Sequence, residues 1–119
     1  RDVAERVGAV RTRFPDTPVR LHLHNTRNTG IANAWAGVEA GAHALDSAFG
    51  GVGGCPFAPK ATGNIATEDL VYMLERSGVA TGMDLEACIE AAEWLEAQLE
   101  HLVPGMVMKA GGFPAPRAA

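Results

Sequence analysis

The strictest constraint on the fold is one short run. Val19-Arg-Leu-His-Leu-His24 alternates apolar and polar residues, whereas the segments on either side repeat their apolar residues every three or four positions. A period of two is a strand with one face turned to a covering layer, and a period near 3.6 is a helix. Upstream, Val3, Val7, Val10 and Phe14 mark an amphipathic helix that closes at Pro15, followed by the turn cluster Asp16-Thr17-Pro18. Downstream, Ile31, Ala34, Trp35 and Val38 predict a helix from Thr29 to Ala40, stopped by Gly41. Ala42 to Phe49 is a second apolar run of strand length, and Gly50-Gly-Val-Gly-Gly54 is too glycine-rich for regular structure. A third helix spans Thr67 to Ser77, with Thr67 as N-cap and Glu68 and Asp69 in the first turn, where the helix dipole favours anions. A fourth runs from Asp84 to His101 with Leu85, Cys88, Ile89, Ala92, Leu95, Leu99 and Leu102 on its apolar face.

Strands that alternate with helices are parallel strands of an α/β sheet. Two such strands leave both sheet edges unpaired, so the chain is expected to need further strands from elsewhere. A (β/α)8 barrel takes roughly 250 residues, of which this chain would be the last quarter to half. The opening at Arg1, directly inside a helical pattern, also reads as a piece of something longer. The domain portion is expected to cover residues 1–103, and the Gly/Pro/Ala-rich residues 104–119 to trail off as a flexible tail.

Composition narrows the function. With 47% hydrophobic and 20% charged residues the chain can build a core, and a formal charge of -4 without a basic stripe argues against nucleic acid as partner. No apolar run approaches the roughly 20 residues that span a bilayer, so no membrane role is expected. The two cysteines, Cys55 and Cys88, lack metal-knuckle spacing and read as independent thiols of a cytoplasmic protein.

Three places carry chemistry. His22 and His24 stand two apart on one strand face, roughly 6.6 Å from each other, at the C-terminal end where α/β sheets place their sites. Two imidazoles so arranged can chelate one divalent cation, or serve as ordinary hydrogen-bonding groups at a strand end. Gly53-Gly54-Cys55-Pro56 puts a thiol in a loop, where it can be exposed and activated, unlike Cys88 on a helix face. Gly63-Asn64 offers an amide oxygen that can ligate a hard cation or cap a turn. His43 and His101, near a strand start and a helix end, are not expected to act in catalysis.

Taken together, His22-Leu-His-Asn-Thr26, Ile31-Ala-Asn33, Leu45-Asp-Ser47, Gly53-Gly-Cys-Pro-Phe-Ala58, Ala61-Thr-Gly-Asn64 and Ala66-Thr-Glu-Asp-Leu-Val-Tyr-Met-Leu74 closely resemble the 3-hydroxy-3-methylglutaryl-CoA lyases of the DRE-TIM metallolyases, collinearly from about Val19 to Gly82. The resemblance implies the C-terminal portion of a TIM barrel, its last two strands beginning near Val19 and Ala42. It implies His22, His24 and Asn64 as metal ligands, Cys55 as a catalytic thiol, and a link of His22 to the chemistry. It also implies a divalent cation, Mg2+ or Mn2+ first, an acyl-CoA thioester as substrate, and room for a homo-oligomer. The family's remaining ligand, an aspartate beside an essential arginine, has no counterpart here, so the chain alone is expected to be inactive. The condensing relatives share His-x-His and Gly-Asn but lack the Gly-Gly-Cys-Pro loop. The alternatives are a lyase or aldolase acting on another 3-hydroxyacyl-CoA, or a non-catalytic fragment that only binds partners. One local departure stands out: many members read Asp-Thr-Tyr-Gly where this chain has Asn25-Thr26-Arg27-Asn28, which adds a cation beside the site.

Overall fold

The computed structural model describes residues 1–54 and 63–113. Cys55, the rest of its loop to Thr62, and residues 114–119 of the expected tail lie outside the described residues.

Helix α1 (Asp2–Arg13) leads into strand β1 (Arg20–His22), helix α2 (Gly30–Glu39), strand β2 (Ala44–Asp46) and a single 3-10 turn at Phe49–Gly51; helices α3 (Thr67–Arg76), α4 (Leu85–Leu99) and α5 (Val107–Ala110) follow. The two strands are parallel, with Arg20 opposite Ala44, Leu21 opposite Leu45 and His22 opposite Asp46. The expected order of strands and helices is therefore present, and so is the alternation of faces. Leu23 packs against the cluster of Ala34, Ile65, Leu70 and Leu74, which is lined further by Ile31, Trp35, Val38 and Leu45. Leu21 lies so close to α2 that a Cβ on Gly37 would come within 2.3 Å of its Cδ1. Arg20, His22 and His24 are left on the opposite face.

Both strands are shorter than the apolar runs that predict them, and the reason is a change of partner. Past His22 the chain no longer pairs with β2 but with the segment 63–67. The Ile65 amide donates to Leu23 O at 3.3 Å and the Asn25 amide to Gly63 O at 2.9 Å, while on the other side Ala48 N–H donates to Ile65 O at 3.1 Å. His24 bridges Asn64 in antiparallel fashion and Ala48 bridges Ala66 in parallel. A short extended piece is thus inserted at the C-terminal ends of β1 and β2. Because Ala66 is still extended (φ −74, ψ 137), it is the N-cap of α3, one residue earlier than expected. Thr67 instead pairs its hydroxyl with Ser47 Oγ at 2.9 Å.

Gly63 makes this insertion possible. It has φ +90, and a Cβ there would fall 1.6 Å from the carbonyl oxygen of Gly53. Backbone cannot yield as a flexible side chain does. Gly63→Ala is therefore expected to cost at least about 2 kcal/mol, from left-handed strain plus overlap. A denaturant midpoint unchanged from wild type would contradict this packing.

The C-terminal part differs from expectation in two ways. Asp84 caps α4, its Oδ1 accepting from the amides of Glu86 (2.9 Å) and Ala87 (3.3 Å), and Cys88, Ile89 and Ala92 are buried as the stripe requires. The helix then stops at Leu99, since Glu100 turns left-handed (φ 55). That turn leaves Leu102 81% exposed and sends Val103 inside instead, at 1%. The second difference is residues 104–113, expected as tail but docked onto the fold. Asp69 Oδ1 accepts from Met106 N at 3.0 Å and Val107 N at 2.7 Å, Lys109 Nζ donates to Val103 O at 2.6 Å, and Met108 joins Ile89, Ala92 and Val103 in a second core. The carboxylate read as a dipole partner for α3 thus serves a second helix start.

The stripe on α1 is only half used. Val7 is buried, but Val10 and Phe14 are exposed. Val3, Val7 and Val10 line an apolar cleft with Leu21 and Leu23. Among the described residues nothing pairs with the other edge of β1.

Candidate functional site

The site grows out of that inserted segment. His22 and His24 face the same way, with ring centroids 5.1 Å apart and planes at 66°. Their Nε2 atoms approach to 3.2 Å. Residues directly opposite in an antiparallel bridge put their side chains on one face, so the bridge to His24 brings Asn64 to the face of the histidines. Its amide is fixed by Nδ2 donating to Val52 O at 3.0 Å. Gly53 (φ +114) admits that contact, since a Cβ there would meet Nδ2 at 2.8 Å. With Nδ2 committed, Oδ1 is left buried and, among the described residues, without a hydrogen-bond partner. An unpaired buried amide oxygen costs roughly 1–3 kcal/mol unless something else meets it.

The structure therefore brings His22, His24 and Asn64 onto one face. Cys55 lies outside the described residues, although the close approach of Gly53 and Gly63 holds the two ends of its loop together. Among the described residues no three His, Cys, Asp or Glu side chains group as a cation site. The candidate set is two ring nitrogens and one amide oxygen.

Two neighbours escaped the sequence reading. Asp46, opposite His22 in the parallel register, places Oδ2 3.5 Å from His22 Nδ1. Its other oxygen accepts from Arg20 Nε. The signal was available in the register of the two strands, which sequence alone does not fix. The loop departure is also explained. Asn25 Oδ1 accepts the Gly30 amide at 2.9 Å at the start of α2, a task that needs an oxygen and not a charge. Asn28 takes φ 54 in place of the family's glycine, a conformation asparagine tolerates. Arg27 is exposed in the same loop. The two histidines set aside are accounted for: His43 Nδ1 accepts from Val19 N at 3.1 Å, and His101 Nδ1 lies 3.1 Å from Leu102 O.

A model of the HMGL-like family matches residues 1–95. The chain belongs to the HMGL-like family. An (R)-citramalyl-CoA lyase of Chloroflexus aurantiacus is 58% identical over 99 residues, covering 83% of this chain and 31% of that protein. A hydroxymethylglutaryl-CoA lyase of Bacillus subtilis is 43% identical over 96 residues, covering 81% of this chain and 32% of that one. Among solved structures, an HMG-CoA lyase from Acinetobacter baumannii in complex with coenzyme A and 3-methylmalate superposes with a TM-score of 0.84 at 45% identity, covering 96% of this chain and 39% of the other. The chain spans about a third of the length of the curated relatives it matches. Its two parallel strands and their helices are accordingly a part of an HMG-CoA-lyase-type TIM barrel and not a complete one. The HMGL-like match ends before the docked segment that carries Val103 and Met108.

Glu68 anchors the turn that follows β2. It is fully buried, and its Oε2 accepts the Gly50 amide at 3.0 Å, while Oε1 has no partner among the described residues. Burial holds its carboxyl above the usual range, against hydrogen bonds from the amides of Glu68 and Gly50. A raised native value means the folded state keeps the proton longer than the unfolded chain. The resulting stability is fully present below the unfolded value of about 4.3 and is lost as pH rises through the native value. Glu68→Gln keeps an acceptor for Gly50 and removes the titration. Its stability relative to wild type is expected to improve as pH rises above the unfolded value and to level off once the native value is passed, and a difference independent of pH would contradict the assignment.

Proposed function

We propose that this chain supplies the cation-binding end of an acyl-CoA lyase, which cleaves a 3-hydroxy-3-methyl acyl-CoA that bears a distal carboxylate. The observation that carries the reading is the approach of His22 and His24 Nε2 to 3.2 Å beside an Asn64 Oδ1 that is buried and has no partner among the described residues. Two ligands at right angles about a six-coordinate cation, each roughly 2.1 Å from it, lie about 3 Å apart. The donor set fits such a cation. His22, His24 and Asn64 would hold it, with oxygens from water, substrate or the rest of the protein completing the shell. Members of the HMGL-like family generally depend on a divalent metal. Mixed nitrogen and oxygen donors with open positions suit Mg2+ or Mn2+, and the cation supplies stabilisation of the negative charge that develops on substrate oxygens.

The chain's own groups then handle protons. The substrate's 3-hydroxyl loses its proton, the C2–C3 bond breaks as a carbonyl forms at C3, and the thioester enolate is protonated at C2. We assign the C2 proton to Cys55, from the family resemblance of its loop, and a part in the hydroxyl proton transfer to His22. Cys88 has no such part, because its thiol is buried on α4 and burial pushes its pKa up. Arg27, exposed beside the site, suits the substrate carboxylate or a CoA phosphate.

Two acyl groups fall in this class, hydroxymethylglutaryl and citramalyl, which differ by one methylene. The motifs resemble lyases of the first, and the 58% identity to the citramalyl-CoA lyase favours the second. The full-length protein, assayed with Mg2+ and each thioester, is expected to release acetyl-CoA together with acetoacetate or pyruvate, respectively. Cleavage of neither thioester would overturn the proposal.

A further inference from the structure

We infer that Asp46 is a positioning residue for His22, holding the imidazole proton on Nδ1 so that the lone pair of Nε2 is turned toward His24. The inference rests on the cation-site reading above. Parallel register sets the two residues opposite each other, and the Asp46 Oδ2 lies 3.5 Å from His22 Nδ1. An ionised carboxylate only accepts hydrogen bonds, and a neutral imidazole carries one N–H and one lone pair. The approach is a charge contact and not a formed hydrogen bond, so the carboxylate favours the N–H on the ring nitrogen that faces it, which leaves Nε2 as the acceptor edge. That is the edge 3.2 Å from His24 Nε2.

Arg20 completes the device. Its Nε donates to Asp46 Oδ1, so each carboxylate oxygen serves one neighbour and the carboxylate plane is held between them. An exposed Arg–Asp pair contributes little to stability by itself. Its use here is orientation: Arg20, His22 and Asp46 come from adjacent strands and form one chain that ends at the imidazole edge shared with His24. Metal-ligating histidines commonly have their second nitrogen held by such a carboxylate, and its loss weakens metal affinity by about 10- to 100-fold.

The test uses the full-length protein labelled with 15N-histidine. In wild type, the metal-free His22 ring is expected as the Nδ1–H tautomer by long-range 1H–15N correlation. Asp46→Ala is expected to move it toward Nε2–H and to weaken Mn2+ binding about 10- to 100-fold. Asp46→Asn, whose Oδ1 still accepts, is expected to restore the tautomer and part of the affinity, and it replaces the alanine variant if that one fails to fold. Asp46→Ala with an unchanged tautomer and wild-type Mn2+ affinity, beside a weakened His22→Ala, overturns the inference. If His22→Ala binds Mn2+ as wild type does, the cation site itself fails, and the tautomer alone decides what Asp46 does.

Discussion

Replacing His24 with alanine in the full-length protein is expected to lower divalent-cation affinity by at least about a hundredfold, because losing a ligand costs more than losing its outer partner. The ring makes its close contact with His22 on the face opposite the core, so its removal opens no cavity among Ala34, Ile65, Leu70 and Leu74. The backbone of residue 24 keeps its bridge to Asn64 with any side chain. Secondary structure and thermal midpoint should therefore stay near wild type while Mn2+ titration by calorimetry shows the loss. Turnover should fall with occupancy and be partly recovered at high metal. A variant that binds Mn2+ as tightly as wild type would show that the imidazole pair is an ordinary hydrogen-bonded contact.

Cys55→Ala is expected to lower turnover by about 10²- to 10⁴-fold, the range that a positioned proton donor contributes, with Mn2+ affinity unchanged. The separation of the two effects follows from the assigned roles. His22, His24 and Asn64 bind, whereas Cys55 moves a proton. Cys88→Ala is the contrast, since that thiol sits 4% exposed in the helix packing and should leave turnover alone. Equal turnover in the Cys55 variant and wild type would remove the thiol from the mechanism.

Much of this was legible from residues alone, and what was not has a common cause. Local period placed four of the helices and both strands, and His22 and His24 share a face because a strand alternates. Asn64 could be read as a ligand or a turn cap from its residue type, but only the resemblance to a family motif joined it to the histidines. What places it is a tertiary event, the insertion of residues 63–67 at the strand ends, which depends on Gly63 at φ +90 against Gly53. No local pattern in the sequence announces that pairing. Asp46 was hidden for the same reason, as strand register is set between segments. The misjudged tail shows the converse error: Pro104, Gly105 and the small residues after them look like linker composition. Yet a Cβ on Gly105 would sit 2.1 Å from Glu68 Oε1, so the glycine is there for close approach and not for freedom. Leu102 and Val103 exchanged places because one residue, Glu100, turned left-handed.

The account's central claim is that two ring nitrogens and one amide oxygen meet a single cation. An anomalous-scattering map of the full-length protein crystallised with Mn2+ tests it most directly. The account predicts one peak within about 2.0–2.4 Å of His22 Nε2, His24 Nε2 and Asn64 Oδ1 together. A peak that contacts only one of the three, or lies elsewhere in a protein that does bind Mn2+, would contradict it.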